Sequence, residues 1–461
     1  MDGRRQKKQL ELPFAAQGRG EAPKRVSEGT EASMAKRATE SPAGSKQLLE
    51  EVCERNNLKR ALRRVRANKG SAGVDGMSVE ELPCYLASHW LQIREQLLSG
   101  TYQPQPVKRV EIPKAGGGAR KLGIPTVLDR FIQQAVLQVL QERWDPTFSE
   151  HSYGFRPGRS AHQAVARAQA YLSEGYTHVV DLDLEKFFDR VNHDQLMGLL
   201  ARRLADKRLL RLIRAFLNAG VLEQGLVGPT DEGTPQGGPL SPLLSNIVLD
   251  ELDRELERRG HAFVRYADDC NIYVRSERAG RRVLESVSRF ITRRLKLKVN
   301  ERKSAVARPQ ERKFLGFSFT GEAHPRLRLA PQTVKRLKEK VRQLTRRTRG
   351  VSVERMAGDL RRYLQGWLGY FGFCETPSVL KKLETWIRRR LRGVVWKQWK
   401  RGRTRFAELR QRQVGKDLAA QTAGSAHGPW RLSASPALNI ALSNAYFRSL
   451  GLPPLVVRQP A

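Results

Sequence analysis

A chain of 461 residues with 39% apolar content is long enough for two or three domains with sizeable cores, which excludes wholesale disorder. Its 84 Lys and Arg against 47 Asp and Glu leave a net charge of +37, a self-repelling excess that points to a polyanionic partner, nucleic acid ahead of an acidic membrane surface. No apolar run reaches the ~18 residues of a spanning helix and the basic N-terminus has no apolar core segment, so a soluble intracellular protein is expected.

Residues 1–46 mix Gly, Ala, Ser, Glu, Lys and Arg and read as a flexible basic leader. From Leu48 to about Leu98 the apolar spacing is helical, broken by a glycine-bearing loop from Asn68 to Gly76. Val107 to Pro113 and Leu122 to Ile124 read as the strands of a hairpin in which Lys114 and Arg120 flank Gly116-Gly117-Gly118. A flexible turn with a cation on each side suits closure on a triphosphate. Ser152 to Ser160 is a Gly/Pro turn carrying Arg156 and Arg159, both assigned to the backbone of a template RNA.

The run His178 to Asp189 reads as a buried-type strand that runs into acids. With a period of two, Asp181 and Asp183 point to one face. Gly233 to Asn246 is a Gly/Pro loop entering a helix, the kind that lets backbone approach a ligand closely, and Gln236 in it is expected to touch a base or the template backbone. Phe263 to Val274 then places Asp268 and Asp269 between two β-prone stretches, a strand, tight turn and strand. Adjacent carboxylates repel, so by itself the pair reads either as a solvated Asp-Asp turn or as a site where a cation, a divalent metal first of all, holds them together.

Beyond Ala330 the pattern is helical and basic, with apolar stripes at Val334, Leu337, Val341, Leu344; at Val353, Met356, Leu360, Leu364, Trp367, Phe371; and at Leu380, Leu383, Ile387, Leu391, Val394. Charges from Arg326 to Arg412 sum to about +20, as a phosphate-binding face requires. Trp386, Trp396 and Trp399 lie among them, suited either to stacking on unpaired bases or to core packing. Cys53, Cys84, Cys270 and Cys374 form no Cys-x-x-Cys pair and the histidines show no ligand spacing, so neither a disulfide framework nor a zinc ribbon is indicated, and no appended zinc-stabilised nuclease is expected.

If the two acid-bearing strands are neighbours in one sheet, an acid of the first meets Asp268 and Asp269. Three carboxylates around two Mg²⁺ ions are the arrangement of nucleotidyl transfer, although the acids alone leave hydrolysis open.

The order of blocks is more specific than any one of them. Lys69 to Gly76, Lys114 to Pro125, Tyr153-Gly154-Phe155-Arg156-Pro157-Gly158, Asp183 to Asp189, Thr234 to Pro242, Tyr266-Ala267-Asp268-Asp269, Leu297 to Ser304 and Phe314-Leu315-Gly316-Phe317 follow one another along the chain. In this it resembles the reverse transcriptase/maturases encoded by bacterial group II introns, from Leu48 to Leu452. The resemblance implies an α+β right-hand polymerase, with fingers and an antiparallel palm over 47–322, a helical thumb/maturase domain over 323–420 and a C-terminal extension over 421–461 without a nuclease domain.

It further implies Asp183, Asp268 and Asp269 as metal carboxylates, Lys114 and Arg120 as triphosphate contacts, and Phe188 as the aromatic that blocks a ribose 2′-hydroxyl. Gln236 would seat the nascent pair and Lys303 would protonate or stabilise the leaving pyrophosphate. Two Mg²⁺ ions, with Mn²⁺ as substitute, intron RNA, an RNA template, a DNA primer and dNTP follow as cofactors and partners, in the bacterial cytoplasm near the nucleoid. Without a nuclease, priming from nascent fork ends or single-stranded DNA is expected. A splicing-only maturase and a domesticated or defence-associated reverse transcriptase are the alternatives.

Overall fold

The structure, a computed structural model, describes residues 47–113, 119–223, 226–228, 232–233 and 237–456. Its strands are β1 (Val107–Pro113), β2 (Ala119–Ile124), β3 (His178–Leu182), β4 (Val221–Glu223), β5 (Leu226–Gly228), β6 (Ala262–Tyr266), β7 (Asp269–Val274), β8 (Ala305–Ala307), β9 (Phe317–Phe319) and β10 (Leu327–Leu329). Two compact units divide the chain at Ala307/Arg308. That division lies upstream of the 322/323 boundary expected from the sequence: β9 and β10 pair with each other and are tied to the connection between the helices Val353–Phe371 and Pro377–Gln398, Glu375 N–H donating to Leu327 O at 2.8 Å.

The first unit holds two four-stranded sheets. One has the order β2-β1-β4-β5, with the β1-β2 hairpin closed at the Pro113/Ala119 pair. The other, β6-β7-β3-β8, is antiparallel throughout. Alternation gives this second sheet two different faces. Val180, Leu182, Phe263, Cys270, Ile272 and Val274 share one face and enter the hydrophobic core together with Leu249, Leu252, Val287 and Ile291. Asp181 and Asn271 lie across from each other on the opposite face.

The helices around this sheet begin where the sequence supplies oxygen acceptors for orphan N–H groups. Thr126 caps Val127–Trp144, Asp206 caps Lys207–Leu217, and Ser160 with Gln163 forms a capping box on Ala161–Ser173.

In the second unit the three apolar stripes become the buried sides of the helices Pro331–Leu344, Val353–Phe371 and Pro377–Gln398. Five shorter helices from Gly402 to Ser449 complete it, and Arg392 Nε donates to Leu442 O at 3.0 Å. The three tryptophans part company here. Trp396 is fully buried and Trp399 nearly so, packed against each other and covered by Arg405 and Arg412, so these two are core residues. Trp386 is partly exposed, with Lys338, Arg342 and Arg390 each within 6 Å of its ring. Among the described residues no helix is long and apolar enough to cross a membrane.

Leu391 is fully buried on the third stripe. Leu391→Ala is expected to lower stability by about 2–5 kcal/mol, read by denaturant titration of the whole chain with tryptophan fluorescence. Lys382→Ala on an exposed position should stay within about 0.5 kcal/mol of the parent.

Candidate active site

The β3-β7 ladder ends at the pair Leu182/Cys270. One further residue along the same register sets Asp183 across from Asp269. The β6-β7 hairpin closes at Tyr266/Asp269, which leaves Ala267 and Asp268 as a two-residue loop, Ala267 at φ 56. Asp183, Asp268 and Asp269 therefore share one end of one sheet. Asp181 shares the face of Asp183 but sits a full period back, opposite buried Asn271.

The segment after Leu297 wraps the Asp183 end. Val299 bridges to Leu184, Glu185 N–H donates to Lys298 O at 2.8 Å, and Asn300 N–H donates to Asp183 O at 2.8 Å. Ser304 Oγ accepts from Asp183 N–H at 3.0 Å. This brings Lys303 Nζ to 3.2 Å from Asp183 Oδ2. The approach lies outside hydrogen-bond direction, and Oδ2 is a buried oxygen that accepts no hydrogen bond.

Hard carboxylate oxygens, one of them buried and unsatisfied, are the donors that Mg²⁺ or Mn²⁺ takes. Among the described residues no three His, Cys, Asp or Glu side chains stand grouped closely enough to hold a metal ion. Cys270, behind the acids, has its thiol pushed far above the ordinary range by burial and is a packing residue.

Phe188 lies on a short turn, Phe187–Asp189, half-buried and edge-on to buried Phe187 at 5.2 Å. Gly233 packs on the backbone of that turn so closely that a Cβ would lie 2.8 Å from Phe188 O, and its φ of +93 also excludes larger residues. At the other end of the same loop, Gly237 abuts the end of β2, where a Cβ would lie 2.5 Å from Gly123 O. The loop is thus anchored between the Phe188 turn and the β1-β2 hairpin. Gln236 and Lys114 lie outside the described residues. Arg120 pairs through its backbone with Ile112, and its side chain also lies outside them.

Of the two turn arginines, Arg156 departs from the expectation. Arg156 is buried and spends four of its five N–H donors on Asp145 Oδ1, Asp145 O, Ser149 O and Ser152 O, so it braces its own loop. Arg159 lies over the Tyr153 ring at 5.5 Å and donates to Glu150 O at 3.3 Å, partly exposed.

Sequence reasoning missed a basic cavity of about 880 Å³ lined by Arg60, Arg63, Arg64, Arg130, Gln134 and Gly237. Arg130 Nε is buried there without a hydrogen-bond partner. The spacing of Arg60, Arg63 and Arg64 at i, i+3 and i+4 was the available signal, since it gathers three cations on one helix face.

Residues 112–319 match the family model of reverse transcriptase (RNA-dependent DNA polymerase), and residues 334–413 match that of the group II intron, maturase-specific domain. Protein YkfC of Escherichia coli K12 is 34% identical over 324 residues, 62% of this chain and 84% of YkfC. Group II intron-encoded protein LtrA of Lactococcus lactis is 41% identical over 181 residues, 39% of this chain and 29% of LtrA. The 91 kDa protein in the cob intron of Schizosaccharomyces pombe is 37% identical over 184 residues, 40% of this chain and 22% of that protein. The match thus spans less than a third of these last two relatives. The chain belongs to the group II intron reverse transcriptase/maturases, an RNA-directed DNA polymerase joined to an intron maturase domain, a family that works with divalent metal ions.

Gly233→Ala should displace the Phe188 turn or the loop that follows. Displacement of about 1 Å is expected to cost up to ~100-fold in dNTP incorporation, seen as a raised dNTP KM in steady-state extension while RNA affinity stays at the parental value.

Proposed function

We propose that this protein extends a DNA primer on an RNA template by in-line attack of the primer 3′-hydroxyl on the α-phosphate of a dNTP, with Asp183, Asp268 and Asp269 as the carboxylates that hold two Mg²⁺ ions. The observation that carries this reading is the strand register that sets Asp183 across from Asp269, next to the Asp268 turn. Bound there, the metal ions would supply an activated hydroxyl and charge neutralisation on the transferring phosphate.

The chain's own groups do the rest. Lys303, carried beside Asp183 by the wrapping segment, is the acid for the leaving pyrophosphate. Phe188, on the turn against which Gly233 packs, is the ring that refuses a 2′-hydroxyl. Lys114, Arg120 and Gln236 take the triphosphate and the nascent pair. Arg60, Arg63 and Arg64 offer template phosphates a cavity wall, in the role first assigned to Arg156. The basic helical unit grips intron RNA, which makes the same chain a splicing cofactor.

A splicing-only maturase would not need the acids, and all three are present. Incorporation of dNTP on a primed RNA template with Mg²⁺ is expected for the parent chain and background for Asp268→Ala. Equal incorporation by both would refute the polymerase assignment. Phe188→Ala should raise ribonucleotide incorporation relative to dNTP, and unchanged sugar selectivity would remove Phe188 from the gate. RNA affinity should fall linearly in log–log against salt, with a slope of about −0.7 per phosphate neutralised on single strands.

A further inference from the structure

The turn that bears Asp268 is held from beneath by one buried side chain. Arg265 lies on β6, across from Cys270 and so on the core face of the sheet, opposite the face of the acids. Its side chain and that of Asp253, on the helix Ser241–Arg258, have no solvent exposure.

A guanidinium has five N–H groups, and all five of Arg265 are used. Nε donates to Asp253 Oδ1 at 2.7 Å and Nη2 to Asp253 Oδ2 at 2.5 Å. Nη2 also donates to Ser152 Oγ at 2.8 Å, and Nη1 to Asn246 Oδ1 at 3.0 Å. The remaining Nη1 donor goes to Ala267 O at 2.9 Å, inside the metal-bearing turn itself.

Ala267 needs such a hold. At φ 56 it occupies left-handed backbone that disfavours any residue with a Cβ, and such conformations persist only where the surroundings over-determine them. A second contact comes from Gly154, which approaches the amide side of Ala267 until a Cβ would lie 2.2 Å from Ala267 N. Asn246 Nδ2 donates to Gly154 O at 2.9 Å, so one asparagine ties the guanidinium to the glycine that presses on the turn.

We infer that Arg265 is a positioning residue for nucleotidyl transfer: anchored on Asp253 and Asn246, it holds Ala267 in left-handed backbone and thereby aims Asp268 and Asp269 toward Asp183. The inference rests on the proposed role of those acids. It predicts that the side chain acts on metal affinity and turnover and leaves RNA binding alone. Lysine keeps the charge but offers neither the planar fork nor the reach to four separate acceptor groups.

The test uses the full chain and reads Mn²⁺ binding by electron paramagnetic resonance of the free ion, in the presence of primer-template, beside steady-state extension. Arg265→Lys is expected to weaken Mn²⁺ binding and lower kcat, each by roughly 10- to 100-fold, the range typical of residues that orient metal ligands. RNA affinity should stay within about threefold, well short of a tenfold change. Ala267→Gly placed in the Arg265→Lys background should recover part of both losses, because glycine adopts that φ without a Cβ penalty.

Should Arg265→Lys fail to fold, Asn246→Ala keeps the Arg265-Asp253 pair and removes one strut; it leaves a buried guanidinium donor unpaired and so lowers the melting temperature of a chain that still folds, with a smaller loss of Mn²⁺ affinity. Mn²⁺ affinity equal to the parent's in the folded variant, or a loss that glycine at position 267 does not relieve, overturns the inference. A parent chain that binds Mn²⁺ but incorporates no dNTP sinks the polymerase reading alone, since the binding arm needs no turnover.

Discussion

A charge pair sealed from water organises the catalytic end of this protein. Burying Arg265 and Asp253 forfeits several kcal/mol of hydration per ion, and only a full complement of hydrogen bonds offsets that cost. Burial alone would draw the Arg265 guanidinium down, yet the Asp253 carboxylate outweighs it and holds the group charged, above its ordinary value. Because every donor is used, the pair links the helix Ser241–Arg258, strand β6, the loop at Ser152 and the turn at Ala267 into one rigid body. Loss of one partner from such a pair leaves an uncompensated charge, at a cost of about 3–5 kcal/mol. The acids need this stiffness, since carboxylates gathered at one sheet end repel each other until a cation joins them.

The second unit solves a different electrostatic problem. Its helices carry many like charges, and the tryptophans take up part of the strain by offering ring faces to guanidinium groups, Arg405 over Trp396 at 4.7 Å and Arg412 over Trp399 at 5.2 Å. Crowding remains around Trp386, where burial first, and then Arg342 and Arg347, push the Arg390 guanidinium below its ordinary value. Such a cluster is costly in isolation and favourable against phosphates. That is the balance expected of a surface built to hold RNA.

Much of the site was legible because its signals are local. A period of two put Asp181 and Asp183 on one face, and β-prone stretches on both sides of Asp268-Asp269 announced the hairpin. The resemblance chose Asp183 over Asp181; in the register Asp183 stands at the sheet end and Asp181 a period behind it. Arg156 shows where local reading stops. An arginine on a Gly/Pro turn looks available for phosphate, but whether its donors are free depends on carbonyls at Asp145 and Ser149 that come near only after folding. Arg265 was passed over for the opposite reason, since an arginine within an apolar strand carries no local sign of the aspartate that neutralises it.

The sequence by itself determined the strand-turn-strand around the acids, the three apolar stripes, the order of the polymerase blocks and the charge that calls for nucleic acid. Each is written in neighbouring residues through the 2.0 and 3.6 periodicities or in composition. Tertiary structure alone decided that β3 inserts between β7 and β8, which brings Lys303 to Asp183 and sets Asp183 across from Asp269. It alone gathered the arginine cavity and closed the Arg265 network under the turn. Those pairings join residues far apart in the chain, and they are chosen by which faces bury together and which buried donors find acceptors, conditions met only once the whole core has formed.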